Sequence, residues 1–184
     1  MGYLWYWIDV RDHSVVGKFV SEALALSAID YEDREHLRLK RVLRIIWDYF
    51  ESEAHKLAIG ILNANTDFTN IIAINRGGLT LGVKLSHYLN IPLSVYTLPK
   101  LGCYDTAGIL AIASLGKRTL IVDDINDTGN TLINIIKNME LYSIASETCT
   151  LVQKAESAIK VDYCNIVEPD DIWVEFPWER IHSF

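Results

Sequence analysis

Apolar and polar positions follow two alternating patterns from residue 47 onward. Short continuous apolar runs are typical of buried strands, and apolar residues at every third or fourth position are typical of helices packed on one face. These patterns predict strands at 71–75, 91–98, 119–124, 148–154, 161–167 and 171–176, and helices at 47–63, 79–90 and 131–142. Strands that alternate with helices predict an α/β fold with a mostly parallel twisted sheet and flanking helices.

The segment 47–63 is predicted to be a helix packed against another layer. One helical face carries four apolar residues, Phe50, Ala54, Leu57 and Ile61. Asp48 and Glu51 have the three-residue spacing of a capping box, which predicts that the helix starts beside Asp48.

The first 46 residues have a less regular pattern. Residues 14–29 fit a helix, and residues 36–47 fit a long strand with partial alternation. Neither segment carries a motif, and no linker separates them from the rest of the chain. We therefore predict an N-terminal extension of unknown role at residues 1–46, followed by the main domain at 47–184.

Composition and charge narrow the class of protein. A chain of 184 residues with half of them apolar and 22% charged is typical of one soluble globular domain. The net charge is -7, and residues 119–184 hold 12 acidic and only 4 basic side chains, which argues against a nucleic-acid partner there. Such an acidic segment could instead hold a divalent cation. The basic cluster Arg34, Arg38, Lys40, Arg41 and Arg44 is either a solvated face or a contact for a polyanion or a second subunit.

The sequence indicates a cytoplasmic protein. The longest apolar stretch, residues 107–116, is about half the length that a membrane span needs. The N-terminus lacks the basic start and the cleavage site of a secretory signal. Cys103, Cys149 and Cys164 are odd in number and widely spaced, which favours reduced thiols over disulfides or a zinc site.

Most candidate functional residues lie in the segment 122–131, VDDINDTGNT. Two adjacent carboxylates stand where a strand is predicted to end, and a glycine flanked by threonines stands where the next helix begins. Exposed N–H groups at a helix start bind phosphate, and glycine allows its close approach. Neighbouring carboxylates accept hydrogen bonds from sugar hydroxyls and help to hold Mg²⁺. The segment therefore predicts a ribose phosphate site, and the plainer alternative is an N-capped turn with solvated acidic side chains.

VDDINDTGNT resembles the segment that binds phosphoribosyl pyrophosphate in type I phosphoribosyltransferases. Three further segments match in the same order: 71–78 resembles the strand and loop that hold the pyrophosphate, 153–157 the strand whose lysine meets the purine, and 168–179 the purine-stacking segment. The match spans residues 47–179 and is most similar to the purine salvage group, in particular to bacterial xanthine-guanine enzymes. It implies the type I fold with a small hood region, and a phosphoribosyltransferase domain at 47–184.

The resemblance also implies roles for the matched residues. The ribose and its 5′-phosphate would be held by Asp123, Asp124, Asp127, Thr128, Gly129, Asn130 and Thr131. Asp127 would be the catalytic residue that accepts a proton from the purine, and Asp124 would help to hold Mg²⁺. The pyrophosphate would be bound by Arg76, Gly77 and Gly78, at a loop where the family often has a non-proline cis peptide bond.

The purine would be recognised by Lys154, Trp173 and Val174. Lys154 would bind the exocyclic oxygen, Trp173 would stack on the ring, and the Val174 backbone would read the base edge; a buried lysine stem and a core tryptophan are the plainer alternatives. The family's lid follows a Ser-Tyr pair, and Cys103 and Tyr104 stand there. Tyr104 is therefore the candidate lid residue. The loop after it is short and lacks Lys and Arg, which argues for less efficient turnover because a lid excludes water.

The implied function is transfer of 5-phosphoribose from its pyrophosphate to a 6-oxopurine (guanine, xanthine or hypoxanthine), with Mg²⁺ as cofactor, in a dimer or tetramer. One alternative is a non-catalytic protein of the same fold that senses phosphoribosyl pyrophosphate or a nucleotide. A second is a receiver-type signalling domain, which also pairs acids at a strand end. That domain would carry the pair near its start, whereas here a phosphate loop follows the pair directly.

Overall fold

The computed structural model describes residues 2–9, 15–28, 36–97 and 118–179 of the chain. The chain divides into two compact units, Ser52–Pro169 and a smaller unit of Met1–Glu51 with Asp170–Phe184. The elements of the described residues are β1 (Gly2–Asp9), β2 (Val15–Phe19), α1 (Glu22–Ser27), β3 (Leu37–Arg44), α2 (Trp47–Asn63), β4 (Asn70–Asn75), α3 (Gly78–Leu89), β5 (Leu93–Thr97), β6 (Arg118–Asn126), α4 (Asn130–Leu141), β7 (Ala145–Lys154), β8 (Ile166–Glu168) and β9 (Trp173–Glu175).

The larger unit contains a five-stranded sheet in the order β5-β4-β6-β7-β8. All four neighbouring pairs are parallel, as the alternation of strands and helices predicted. The central strands are runs of buried residues, which is the pattern of a parallel sheet covered on both faces. Residues of α4 pack on β4, β5 and β6 in a core formed by Ile72, Ile74, Tyr96, Ile121, Leu132, Ile135, Met139 and Ile144.

The smaller unit contains a four-stranded sheet in the order β2-β1-β3-β9. Strand β1 pairs antiparallel with β2 and β3, and β9 pairs parallel with β3. Trp7, Ala25 and Leu37 form its apolar cluster, and the Trp7 indole donates to the Ala25 carbonyl. Glu175 on β9 accepts a hydrogen bond from the Tyr6 hydroxyl and pairs with Arg44. These side chains fix the short strand β9 to its neighbours.

Several predicted elements are confirmed and others are wrong. The predicted face of α2 is buried, but the helix begins at Trp47, so Asp48 lies in its first turn and does not cap it. The helix predicted at 14–29 is wrong, because β2 occupies 15–19 and α1 begins only after Ser21, whose hydroxyl accepts from the Leu24 N–H.

The strand predicted at 161–167 is also wrong for most of its length. Only Tyr163 forms a bridge, with Cys149, before β8 begins at Ile166. Side chains replace the missing ladder here: Gln153 Oε1 accepts from Val161 N–H, and Asp162 Oδ2 accepts from Thr148 N–H. The side-chain bonds hold this segment as a loop.

Other predictions from composition have mixed outcomes. None of the described helices is long and apolar enough to cross a bilayer. Cys149 and Cys164 are free thiols, and Cys103 lies outside the described residues. The described part of the basic cluster is divided between the two faces of β3, because Arg41 alternates with Lys40 and stacks 4.5 Å above the Tyr3 ring.

Candidate functional site

Two tight turns follow the neighbouring strands β4 and β6. Strand β4 leads through Arg76 and Gly77 into α3, and β6 leads through residues 127–129 into α4. Both helices have a glycine at the N-cap, Gly77 and Gly129, with no side-chain hydrogen bond to the cap. Because the N–H groups of a first helical turn lack helical partners, a helix start of this kind can bind an anion.

The glycine turn after β4 lies directly against the paired carboxylates of β6. A Cβ added to Gly77 would overlap the Asp124 carboxylate, and one added to Gly78 would overlap the Val122 carbonyl oxygen and lie 2.8 Å from Asp123 Cα. The Gly78 N–H donates to Asp123. The structure therefore brings Gly77, Gly78, Asp123 and Asp124 together, as expected for loops at the carboxyl ends of adjacent parallel strands.

The two carboxylates sit in an environment that disfavours charge. Burial, together with repulsion from Asp124, raises the pKa of Asp123 to about 7. Burial also raises the pKa of Asp124, although backbone hydrogen bonds oppose that rise. The Asp124 N–H donates to Asp123 Oδ1 over 3.0 Å, which fixes the first carboxylate beside the second. Among the described residues, no three His, Cys, Asp or Glu side chains form a group that could hold a metal ion by themselves.

The turn after β6 consists of two exposed residues followed by a buried glycine. Asp127 and Thr128 are exposed, and Gly129 has a φ of 89°, a conformation that glycine adopts readily. The backbone N–H groups of Asp127, Thr128 and Gly129 find no acceptor among the described residues. Asn130 N–H lies 3.4 Å from Thr128 Oγ1, a weak contact. The turn can therefore offer several N–H groups to one anion.

The remaining predicted residues of the larger unit lie along the same edge of the sheet. Thr131 is half-buried in the first turn of α4, and Arg76 is exposed, with a cis peptide bond before it. Lys154 is the last residue of β7, one position beyond the Asn126–Gln153 pair that joins β6 to β7. Its side chain is buried, and Nζ donates to the Pro169 carbonyl over 3.0 Å.

Trp173 and Val174 belong to the smaller unit, on β9. The Trp173 side chain is 51% exposed, so it is not the core residue that the plainer alternative assumed, whereas Val174 is buried. Strand β9 is at the sheet edge, and the Glu175 carbonyl accepts from Ile45 N–H on the β3 side. Because successive backbone groups alternate in direction, the Val174 N–H and C=O point to the open edge. The candidate lid residue Tyr104 lies outside the described residues.

Sequence reasoning missed the loop beneath the β6 turn. Asn126 is a buried residue of the segment 122–131. Its side chain forms hydrogen bonds with Ser157 and Ile159, and no part of the expected chemistry uses it. The signal in the sequence was an amide side chain where an apolar residue would continue the buried strand. Its partners are distant in the sequence and could not be read from it.

Comparison with known proteins identifies the family. The phosphoribosyl transferase domain family matches residues 46–180. The purine phosphoribosyltransferase of Pyrococcus horikoshii Ot3 has 26% identity and a TM-score of 0.62 over 77% of this chain and 97% of its own. A hypothetical protein from Neisseria gonorrhoeae with bound ppGpp has 22% identity and a TM-score of 0.64 over 77% and 92%. The Helicobacter pylori xanthine-guanine-hypoxanthine phosphoribosyltransferase has 21% identity and a TM-score of 0.59 over 73% and 90%.

The fold and this match define the class of protein as a glycosyltransferase that transfers a pentosyl group. More narrowly, the chain belongs to the phosphoribosyl transferase domain family, of type I. The family to which the sequence was assigned by resemblance is thereby confirmed.

Proposed function

We propose that this enzyme transfers 5-phosphoribose from phosphoribosyl pyrophosphate to a 6-oxopurine, giving a nucleoside 5′-monophosphate and pyrophosphate. The observation that carries the proposal is the contact of Gly77 and Gly78 with Asp124 and Asp123. A departing pyrophosphate needs hydrogen-bond donors, and the ribose hydroxyls need acceptors. The contact supplies both kinds of group side by side at the edge of one sheet.

The donor would be held at two helix starts. The amides of residues 127–131, with the Thr128 and Thr131 hydroxyls and the Asn130 amide, bind the 5′-phosphate, and Arg76 with the Gly77–Gly78 turn binds the pyrophosphate. Asp123 and Asp124 accept hydrogen bonds from the ribose hydroxyls. Holding both ends fixes the anomeric carbon for attack, and such positioning is worth several kcal/mol.

Mg²⁺ fits this site as the companion of a donor already bound. Asp123 and Asp124 are hard oxygen ligands whose pKa values are raised by burial, so a bound cation would favour their charged forms. They are too few to enclose an ion, which agrees with the preference of Mg²⁺ for one or two carboxylates plus water and substrate phosphates. Asp124 would be its ligand, and the ion would supply neutralisation of the pyrophosphate.

The reaction exchanges one bond at the anomeric carbon for another. The bond from carbon to pyrophosphate oxygen breaks as purine N9 attacks, and the pyrophosphate leaves with the bonding electron pair. Positive charge develops on the ribose ring, so the nearby carboxylates stabilise the transition state. Asp127 is exposed at the turn and accepts the proton that the purine loses, at N7 by family resemblance.

The resemblance assigns purine recognition to Lys154, Trp173 and Val174. By family resemblance, Lys154 donates to the exocyclic oxygen of the purine. The exposed Trp173 ring stacks on the base. The Val174 backbone, which points to the open edge of its sheet, reads the edge of the base.

Pyrophosphate release tests the proposal. We expect release when the protein is mixed with phosphoribosyl pyrophosphate, Mg²⁺ and guanine, xanthine or hypoxanthine in turn, and loss of release with a chelator. Asp127→Asn should slow it by about 10²- to 10⁴-fold, the usual contribution of a general base, with donor binding nearly unchanged. Asp67→Asn, at an exposed carboxylate before β4, is the matched control.

Two results would contradict these roles. Donor binding without release for any base would favour the non-catalytic sensor. An Asp127→Asn enzyme as fast as the parent would exclude Asp127 as the base.

The other proposals rest on the sequence and on the resemblance. They are a dimer or tetramer, a cytoplasmic location, Tyr104 as lid residue, and a domain boundary between residues 46 and 47. Light scattering tests the oligomer, and Tyr104→Phe, with the rate of pyrophosphate release as its readout, tests the lid.

A further inference from the structure

The buried side-chain amide of Asn126, in the segment 122–131, has no role in the proposed chemistry. Asn126 ends β6 and is 2% exposed. Both atoms of its amide are used: Nδ2 donates to the Ile159 carbonyl over 2.7 Å, and Oδ1 accepts from the Ser157 hydroxyl over 3.0 Å. Both partners lie in residues 155–161, which we call the support loop.

The support loop lies directly against the turn at Gly129. A Cβ on Gly129 would lie 2.9 Å from Ile159 Cγ2 and 3.1 Å from Ser157 Oγ. The Ala158 N–H donates to the Thr128 carbonyl over 3.2 Å. The carbonyl side of the turn is thus held by the support loop, which leaves the N–H groups for a ligand.

A second buried amide fixes the far end of the support loop. Gln153 is the ladder partner of Asn126, and its Oε1 accepts from Val161 N–H over 2.9 Å. The loop is therefore attached near its start by Ser157, in its middle by Ile159 and at its end by Val161. A loop attached at three points can hold the turn in one conformation, which lowers the entropy lost when a ligand binds.

We infer that Asn126 and Ser157 are positioning residues that hold the turn 127–129 in the conformation in which its N–H groups meet a sugar phosphate. This inference rests on the proposed function, because it assigns a phosphate ester to that turn. Neither residue touches the substrate. Both act through the support loop.

The test compares two probes, ribose 5-phosphate alone and inorganic pyrophosphate alone, by titration calorimetry on the full chain. Ser157→Ala removes one hydrogen bond, and Asn126→Asp removes the donor to Ile159 while keeping the acceptor. Each should weaken ribose 5-phosphate binding by about tenfold, since displacement of under 1 Å in a positioned site has effects of this size. Pyrophosphate binding, at the other glycine turn, should change less than about twofold, because the atoms nearest to Gly77 and Gly78 belong to residues 122–124.

Ser94→Ala is the matched control. It removes a hydroxyl hydrogen bond of 3.2 Å to Asn70 Oδ1, between β5 and β4 and outside the support loop. Its loss of stability should resemble that of Ser157→Ala, and both affinities should stay unchanged. In the double variant Asn126→Asp with Ser157→Ala, the loss should be smaller than the sum of the two single losses, because both hydrogen bonds hold the same support loop.

The outcomes separate the two proposals. If Asn126→Asp does not fold, Ser157→Ala alone decides. If Ser157→Ala binds ribose 5-phosphate as tightly as the parent, or loses affinity for both probes equally, the inference is wrong and the contacts are only structural. If the parent binds neither probe, the proposed function itself fails.

Discussion

Replacing Gly77 with alanine should reduce activity while leaving the fold almost as stable. Gly77 has φ -55° and ψ -51°, a helical conformation that alanine adopts without strain. The three atoms nearest to an added Cβ all belong to the Asp124 carboxyl group. The methyl group therefore displaces the free end of one side chain and no backbone.

The expected magnitudes follow from that contact. Forcing Asp124 off its rotamer destabilises the folded state by about 0.5–1.5 kcal/mol. Alanine also lowers the conformational entropy of the unfolded chain, which stabilises the folded state by about 0.4–1 kcal/mol. The free energy of unfolding should thus change by about 1 kcal/mol or less. A carboxylate moved by about 1 Å loses its alignment with the ribose hydroxyls, which predicts a fall in kcat/KM of about 100-fold.

Two other glycines provide controls for the same substitution. A Cβ at Gly78 would meet the backbone of Val122 and Asp123, which cannot rotate away, so Gly78→Ala should lower the free energy of unfolding by about 1–3 kcal/mol. Gly60 lies within α2 with nothing within 4 Å, so Gly60→Ala should raise it by about 0.5–1 kcal/mol and leave activity unchanged.

The measurement pairs urea unfolding with pyrophosphate release at limiting donor. The reasoning is refuted if Gly77→Ala retains the parent kcat/KM, because Asp124 would then not need the position that the glycine allows. It is also refuted if activity falls only in proportion to folded protein.

Two further predictions concern pH. The pKa of Asp123 is raised from 3.8 to about 7, so between these pH values the folded protein holds a proton that the unfolded chain has released. The free energy of unfolding without ligands should therefore fall as the pH rises from 3.8 to about 7. Asp123→Asn should flatten this pH dependence in urea unfolding, and an unchanged slope would contradict the shift. Burial raises the pKa of Glu147, but hydrogen bonds from Arg118 and from the Tyr163 hydroxyl (2.8 Å) outweigh it and lower that pKa. Tyr163→Phe should therefore cost about 1 kcal/mol at neutral pH, and the difference should shrink as Glu147 is protonated in acid.

The parts of the fold that the sequence predicted are those with a strong local period. Helices α2, α3 and α4 and the buried strands β4, β6 and β7 carry such patterns, and their predicted positions agree to within three residues. The helix predicted at 14–29 is wrong because Gly17 and Lys18 interrupt the apolar pattern. Pairing with β1 then stabilises a strand, β2, in the first part of the segment. The segment 161–167 failed because distant side chains bind its backbone.

The candidate site divides in the same way. The glycine turns and the paired acidic residues at strand ends could be identified directly from the sequence. The geometry of parallel sheets then implied that the loops after neighbouring strands would meet. The contact of Asn126 with Ser157 was not visible, because 31 residues separate them. A backbone carbonyl such as that of Ile159 leaves no trace in the sequence.

The site combines several features that are unfavourable without a ligand. Asp123 and Asp124 repel each other, and two helix starts lack caps. Gly129 adds a positive φ, which other residues adopt only with strain. Each feature offers a group that an anionic sugar ester can use: an acceptor, an approach for phosphate, or free N–H donors. The parallel sheet and the support loop offset the free-energy cost of these features. A variant such as Gly77→Ala should therefore change activity much more than the free energy of unfolding.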